Sequence, residues 1–150
     1  MPSTHLSLHV HVIFSTKHRR PVLKTEWRGR LHAYLGGAIS GVEAVPVVVC
    51  GTADHVHLLL GLKATHRIAD VIREIKRGST NWLNDALNIR GFAWQSGYGA
   101  FSVSPSALDS VARYIAEQEL HHRRRTFQEE YLDFLNKSGV VFDERYLWDE

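Results

Sequence analysis

The chain has 150 residues and a formal net charge of +2 at pH 7. That length suits one domain, which can bury roughly two-thirds of its unfolded surface in a single core. Its one cysteine excludes an intrachain disulfide and a zinc site built from cysteines. The longest apolar run, residues 45–50, is too short to cross a bilayer, and the N-terminus has no cationic segment before its apolar residues. We therefore predict a single soluble, cytoplasmic domain over residues 1–150.

Charge is distributed unevenly along the chain. Residues 126–150 hold seven acidic and two basic residues, whereas residues 1–125 hold 16 basic and 9 acidic ones. A basic region of this size favours a polyanionic partner, although any single basic cluster is more often only a solvated surface. The candidates for contacts to a phosphate backbone are Lys17 with Arg19 and Arg20, Arg73 with Lys76 and Arg77, and Arg123 to Arg125.

The first half of the chain predicts three strands and one helix. Within residues 9–15, Val10, Val12 and Phe14 share one face, which is typical of a half-buried strand. Farther on, Gly51 to Asp54 is a hairpin signal between two β-rich runs. The elements predicted here are a strand at 9–15, a helix from about Thr25 to Ile39, and strands at 45–50 and 55–60.

Helical spacing dominates the second half of the chain. The run from Ile68 to Leu87 has an apolar stripe and a separate basic side, so it predicts a long amphipathic helix. Ser104 followed by Pro105 is a helix-start signal, and Thr126 with Glu129 has the spacing of a capping box. The elements predicted here are a helix at about 68–87, one or two short strands within 92–103, a helix after Ser104, and a last helix ending near Ser138 and Gly139.

The order of these elements predicts the fold class. Strand, helix, strand, strand, helix, strand and then two helices suggest an α+β, ferredoxin-like (RRM-like) antiparallel sheet, with helices on one face and extra C-terminal helices. In that topology the first and third strands are central neighbours. The histidines of the run 9–11 are therefore expected beside those of the run 55–57.

Two short runs carry the residue types that metal-dependent chemistry needs. Alternate side chains of a strand share a face, so His55 and His57 form a pair of candidate metal ligands. Residues four apart on a helix share a side, so Tyr114 and Gln118 can supply a nucleophile and a third ligand where that helix meets solvent. Either run alone is weak evidence for a metal-dependent site, because histidine pairs are more often structural and Tyr with Gln at this spacing is common by chance.

Together the two runs resemble the single-tyrosine HUH transposases (His, hydrophobic, His) of IS200-like insertion sequences and their repeat-associated relatives. The resemblance extends over nearly the whole chain and rests on several ordered segments. These segments are 12–17 with 19–23, Asp54 to Leu59, Trp94-Gln95 with 97–104, Tyr114-Ile115 with Gln118, 121–123, and 143–148.

The resemblance implies a reaction and a metal. Tyr114 would attack single-stranded DNA, take its 5′-phosphate and free a 3′-hydroxyl, which later reseals the strand. His55, His57 and Gln118 would hold Mg²⁺, or Mn²⁺ as a substitute, with positions left open for phosphate oxygens. His9-Val10-His11 has the same pattern but lacks the flanking residues of the motif, so it is interpreted as packing or supporting groups. Asp54 or His11 could then bond the outer nitrogen of a ligand histidine.

The resemblance also implies DNA hairpins near the element ends as the partner. Unpaired bases can stack on aromatic side chains, for which Trp82, Trp94 and Tyr98 are candidates, although core packing is the more common role. Tyr98 is also the rival nucleophile, but it has no glutamine partner.

A homodimer with shared active sites is expected, in which Tyr114 of one subunit serves His55 and His57 of the other. The family resemblance and the separately capped C-terminal helix both favour this arrangement. Pairing between the first strands of two subunits is the expected way of joining them.

The alternative function is a noncatalytic or host-adopted protein that binds a nucleic-acid hairpin. The aromatic consensus of an RNA-recognition sheet is not visible in the predicted strands. A two-histidine phosphodiesterase would need two His-x-Ser/Thr motifs, and only His5-Leu6-Ser7 qualifies.

Overall fold

The computed structural model describes residues 3–122, 124–145 and 147–148. Arg123 and Tyr146, which belong to predicted motifs, lie outside the described residues. None of the helices described has the length and apolar character that crossing a membrane requires. In this part of the chain the elements are β1 His9–Ser15, α1 Thr25–Gly41, β2 Val45–Gly51, β3 His55–Gly61, α2 Ile68–Ala86, β4 Gly99–Val103, α3 Leu108–Ala116, α4 Gln118–His121 and α5 Phe127–Lys137, with short 3-10 helices at Lys17–Arg19 and Pro105–Ala107.

The four strands form one antiparallel sheet in the order β2-β3-β1-β4. This order confirms the predicted α+β class and the central position of β1 and β3. In the register of these two strands, His11 lies opposite Leu59 and Ile13 opposite His57. Because β1 is hydrogen-bonded on both sides, it offers no free edge, and the prediction that two subunits join through their first strands is wrong.

One face of the sheet carries the main hydrophobic core. Val12 and Phe14 of β1 and Leu58 of β3 point to this face, where α1 and α2 cover them. Both helices supply apolar side chains three or four residues apart, which is the spacing of a buried helical stripe. The fully or almost fully buried apolar residues of these two helices are Leu31, Leu35, Ile39, Val71, Ile72, Ile75 and Leu83. Burial of each such side chain contributes about 1.5–3 kcal/mol relative to exposure.

The other face of the sheet is covered by the C-terminal helices. Ile115 of α3 packs in a cluster with Leu59, and Phe127 of α5 packs in a second cluster with Ile13 and Phe101. The extra C-terminal helices of the sequence prediction therefore form a second helical layer. Since His55 and His57 point to this face, the layer encloses them, and neither has any exposed surface.

Local sequence signals at the last two long helices had different outcomes. The capping box of α5 is present, because the Thr126 hydroxyl accepts from the Glu129 amide at 3.2 Å and the Glu129 carboxylate accepts from the Thr126 amide at 3.0 Å. Ser104 makes no side-chain cap, since its hydroxyl bonds that of Ser106 and a 3-10 turn precedes α3. As predicted, α5 ends before Gly139, which has a left-handed φ of 68°.

Gly51 tests the fit of the β2-β3 hairpin, and Gly37 of α1 serves as a control. A Cβ at buried Gly51 would clash with the His55 carbonyl oxygen and lie 2.8 Å from the Val56 Cα, so Gly51→Ala forces backbone to move. We expect it to lower the free energy of unfolding by about 1–3 kcal/mol. Exposed Gly37 in α1 has open space around its Cα, so Gly37→Ala should raise that free energy by about 0.5–1 kcal/mol. Urea unfolding measures both, and equal effects of the two substitutions would contradict this account.

Candidate metal centre and nucleophile

Strand β3 presents His55 and His57 side by side beneath the C-terminal helices. Their ring centroids are 5.0 Å apart, and both side chains are fully buried. The Nε2 atom of each ring contacts a side chain of the C-terminal helices. The Nδ1 atom of each ring contacts Asp54, which precedes β3, or His11 of β1. The structure thus brings the two histidines together on one face, as the alternation of the strand predicts.

Gln118 reaches this pair from a different element than the sequence suggests. Helix α3 ends at Ala116, Glu117 has non-helical angles (φ −102°, ψ 28°), and Gln118 begins α4. The Gln118 amide oxygen still lies 3.1 Å from Nε2 of His55, and the side chain is fully buried. The expectation that Tyr114 and Gln118 share a helix flank facing solvent is therefore wrong for Gln118, because the break after Ala116 turns the chain inward.

Glu130 and His122 join the site, and sequence reasoning missed both. Glu130 Oε1 accepts from Nε2 of His57 at 3.0 Å and from Nε2 of His122 at 3.1 Å. Donor atoms of His55, His57, His122 and Glu130 all lie within 4.8 Å of one another, the only such cluster in the part of the chain described here. A signal for Glu130 was present, since it interrupts the apolar stripe of α5 formed by Phe127, Phe134 and Leu135.

The charge states follow from burial and these bonds. Burial alone would raise the pKa of Glu130, but the hydrogen bonds from His122 and His57 outweigh it and hold the pKa below its usual range. Burial lowers the pKa of His57 to about 4, so this imidazole is neutral at pH 7. A neutral imidazole beside an ionised carboxylate is a donor set suited to a divalent cation.

The outer nitrogens of both strand histidines have partners of their own. Asp54 Oδ1 lies 2.8 Å from Nδ1 of His55, and Nε2 of His11 lies 2.7 Å from Nδ1 of His57. Burial lowers the pKa of His11 to about 3, so it is also neutral. Such partners fix the ring orientation and tautomer of a ligand histidine. The predicted contacts of Asp54 and His11 are confirmed.

Tyr114 lies against the same cluster. Its half-buried phenol donates a hydrogen bond to Glu130 Oε2 and accepts one from Nη2 of Arg125 at 3.1 Å. Its ring stacks on His121 with centroids 4.3 Å apart and is 6.2 Å from the ring of His57. Burial, with Glu130 adding to it, raises the pKa of Tyr114 to about 12. These contacts are all made within one chain, whereas the expected shared site would place Tyr114 beside the histidines of a second subunit.

An open cavity of about 460 Å³ borders the cluster. Asp54, His122, Arg124 and Arg125 are among the residues that line it. The amide of Thr16 donates to the carbonyl of Asp54 at 2.9 Å. The basic segment that follows Thr16, with the predicted DNA-binding residues Lys17, Arg19 and Arg20, therefore lies at the same end of the sheet as this cavity.

The second predicted basic group belongs to the opposite face of the sheet. Arg73, Lys76 and Arg77 line a groove of about 530 Å³ beside α2, together with Tyr98. Arg73 pairs with Asp70 at 3.0 Å, and Arg77 pairs with Glu74 at 2.6 Å. Lys76 donates to backbone carbonyls of the segment 95–97. The structure does not bring this group, or the rival nucleophile Tyr98, to the strand histidines.

All three aromatic candidates for base stacking make contacts within the protein. Trp94 is 7% exposed and donates to the Ser79 hydroxyl at 2.9 Å, so it belongs to the core. Trp82 stacks on Tyr34 with ring centroids 5.0 Å apart. Tyr98 is half-buried and packs against the main core.

Comparison with known proteins gives the family. The sequence model of the family described as IS200-like transposases matches residues 4–118. A Deinococcus radiodurans R1 protein assigned as a transposase has a TM-score of 0.63 and 27% identity, over 79% of this chain and 95% of that chain. A REP-associated tyrosine transposase bound to a REP hairpin has a TM-score of 0.60 and 14% identity, over 81% of this chain and 73% of that chain, a likeness that concerns the fold.

No curated protein sequence matches the chain. The family match itself extends from before β1 to the first residue of α4, so it contains both strand histidines and Tyr114 but neither His122 nor Glu130. Since it covers well over half of the sequence, the predicted family is confirmed, and the chain belongs to the IS200-like transposases.

Proposed function

We propose that this protein cleaves and rejoins single-stranded DNA at insertion-sequence ends, in a prokaryotic cytoplasm, through a 5′-phosphotyrosine on Tyr114. The observation that carries the proposal is the bridge made by Glu130. One of its carboxylate oxygens accepts from Tyr114 and the other from His57, so the nucleophile and the candidate metal ligands meet at one side chain. A tyrosine hydroxyl beside a metal-binding cluster is suited to covalent attack on a phosphodiester.

The residues fit a divalent cation. His55, His57 and Gln118 are the proposed ligands of Mg²⁺ or Mn²⁺, and the nearby side chains of His122 and Glu130 extend the set. Imidazole nitrogens with amide and carboxylate oxygens suit Mn²⁺ well and tolerate Mg²⁺. When bound, the cation would polarise the scissile phosphate and offset the charge of the transition state.

The bond changes balance without any external energy source. The phenol oxygen of Tyr114 bonds to phosphorus as the bond from phosphorus to the 3′-oxygen breaks. The phenol loses one proton, and the released 3′-oxygen gains one. The phosphotyrosine keeps the energy of the original diester, so a 3′-hydroxyl can reverse the step and reseal a strand.

Two basic surfaces are proposed to hold the DNA. Lys17, Arg19 and Arg20 lie at the end of the sheet that carries the cavity beside Asp54, where they suit the strand that enters the active site. Arg73, Lys76 and Arg77 line the groove beside α2, on the face away from the cluster. This separate groove suits a hairpin stem, and the fold shared with a transposase bound to a REP hairpin supports a hairpin as the ligand.

The nucleophile is tested by exchanging one hydroxyl. Tyr114→Phe should abolish the covalent adduct with labelled single-stranded flanking DNA in the presence of Mn²⁺, because no oxygen remains to attack. Tyr98→Phe is the matched control and should keep the adduct, since Tyr98 lies in the groove beside α2. Denaturing gel electrophoresis detects the adduct. An adduct that survives in Tyr114→Phe but is lost in Tyr98→Phe would identify the other tyrosine as the nucleophile, and binding without any adduct would favour the noncatalytic alternative.

The metal is tested by direct binding of Mn²⁺. His57→Ala and Glu130→Gln should each lower the Mn²⁺ affinity at least about 10-fold, because each removes a donor group from the cluster. His9→Ala is the control from the other His-x-His run and should bind Mn²⁺ as the wild type does. Electron paramagnetic resonance of free Mn²⁺ gives the affinities. An equal loss in His9→Ala would mean that the metal occupies a different place.

Mixing inactive variants tests whether each active site takes Tyr114 and the histidines from one subunit or from two. A homodimer is part of the proposal, but the contacts of Tyr114 with Glu130 of its own chain favour a site that uses its own tyrosine. We therefore expect Tyr114→Phe mixed with His57→Ala to stay inactive after verified subunit exchange, because every site keeps one lesion. Recovery of cleavage would instead support sites shared between subunits, since each mixed dimer would then contain one intact site.

A further inference from the structure

Arg125 is the one cation that contacts the oxygen of Tyr114 among the residues described. Its Nη2 donates to that oxygen at 3.1 Å, and its Nη1 donates to Asp133 Oδ2 at 3.3 Å. The two contacts hold the guanidinium at both ends, so its plane is fixed beside the phenol. Its side chain is 33% exposed and faces the cavity of about 460 Å³.

The carboxylates around Arg125 have other partners, and Glu130, whose charge also acts on Arg125, is bonded to His57 and His122. Asp133 is shared with Lys137 at 2.9 Å, so one carboxylate serves two cations. Two other carboxylates line the cavity, but Asp54 is bonded to His55 and Glu129 to the backbone of Thr126. A guanidinium has five N–H donors, and the two contacts above require only one donor each.

The distance to Tyr114 determines what Arg125 would meet during the reaction. A phosphorus atom must come within about 3–3.5 Å of the attacking oxygen. The non-bridging oxygens of that phosphate can then come within hydrogen-bond distance of Nη2, which is itself 3.1 Å from the phenol oxygen. Guanidinium groups bind phosphate oxygens through charge-assisted hydrogen bonds, which are stronger than neutral ones.

We infer that Arg125 is a catalytic residue that binds the non-bridging oxygens of the scissile phosphate and of the phosphotyrosine. The inference rests on the proposed function and assigns the phosphate contact on the side of the nucleophile. As Tyr114 attacks, negative charge builds on the phosphate oxygens, and a guanidinium held beside them stabilises that charge. The alternative is that Arg125 only fastens α5 through Asp133.

The test compares Arg125 with an arginine of equal charge that lies outside the cavity. Arg125→Gln should slow single-turnover formation of the covalent adduct by about 100-fold or more, with little change in the affinity for uncleaved DNA. Arg113→Gln is the matched control, because Arg113 is an exposed arginine of α3, next to Tyr114 in the sequence, and it does not line the cavity. It should leave the adduct rate near that of the wild type. Thermal unfolding of each variant reports on folding.

Rescue separates a phosphate contact from a packing role. Arg125→Lys should recover part of the rate, and millimolar guanidinium should restore adduct formation in Arg125→Ala, because the free cation can occupy the vacated place. Equal rates for Arg125→Gln and Arg113→Gln would overturn the inference. The inference would also be overturned if Arg125→Lys recovered no rate and guanidinium did not speed up Arg125→Ala, since this is the result expected of a packing residue. If the wild type forms no adduct, the proposed function fails, and the role of Arg125 fails with it. If the adduct forms at a rate that does not depend on Arg125, only the role of Arg125 fails.

Discussion

Burial of a carboxylate among imidazoles is the interaction on which the rest of this structure depends. Glu130 has no exposed surface, and an ionised carboxylate is stable in that position only when it is well hydrogen-bonded. His57, His122 and Tyr114 all donate to it. Removal of one partner would leave a buried charge partly unsatisfied, so the positions of β3, α3 and α5 depend on one another.

The hydrophobic contacts on the second face of the sheet stabilise the fold and offset the free-energy cost of burying this polar cluster. Phe127 and Leu135 of α5 pack against Ile13, and Ile115 of α3 packs against Leu59. These contacts flank the histidines and exclude water from them. In a medium of low polarity, hydrogen bonds to an ionised group are strong, so the apolar surroundings and the polar cluster support each other.

Much of the fold and half of the site were accessible from sequence because they depend on local rules. Alternation along a strand is enough to give His55 and His57 a common face, and the order of elements is enough to bring β1 beside β3, where His11 meets His57. The sequence predicts Gln118 near the histidines, where the structure has it, but on the helix of Tyr114 rather than on α4. Nothing in the local sequence marks the break at Glu117, which satisfies its backbone through a bond to the Tyr114 carbonyl.

His122 and Glu130 could not be found by local rules, because their contacts require α5 to fold back over the sheet. Tertiary packing decides that placement, and no spacing within the helix encodes it. The interrupted apolar stripe of α5 was the one usable sign, since a carboxylate in such a stripe must find a buried partner. The free-edge prediction for β1 failed for a related reason, because β4 takes the second side of that strand and follows it by more than 80 residues in the chain.

The capping box of α5 has a consequence for how the site forms in time. Thr126 and Glu129 fix the first turn of that helix, and Glu130 is the next residue. Since the helix is short, its stability in isolation is marginal, and it gains most of its order from docking on the sheet. Docking of α5 and assembly of the carboxylate with the histidines are therefore a single cooperative event. Amide hydrogens of α5 and the accessibility of the strand histidines to chemical modification would then change together, as two readings of the same equilibrium.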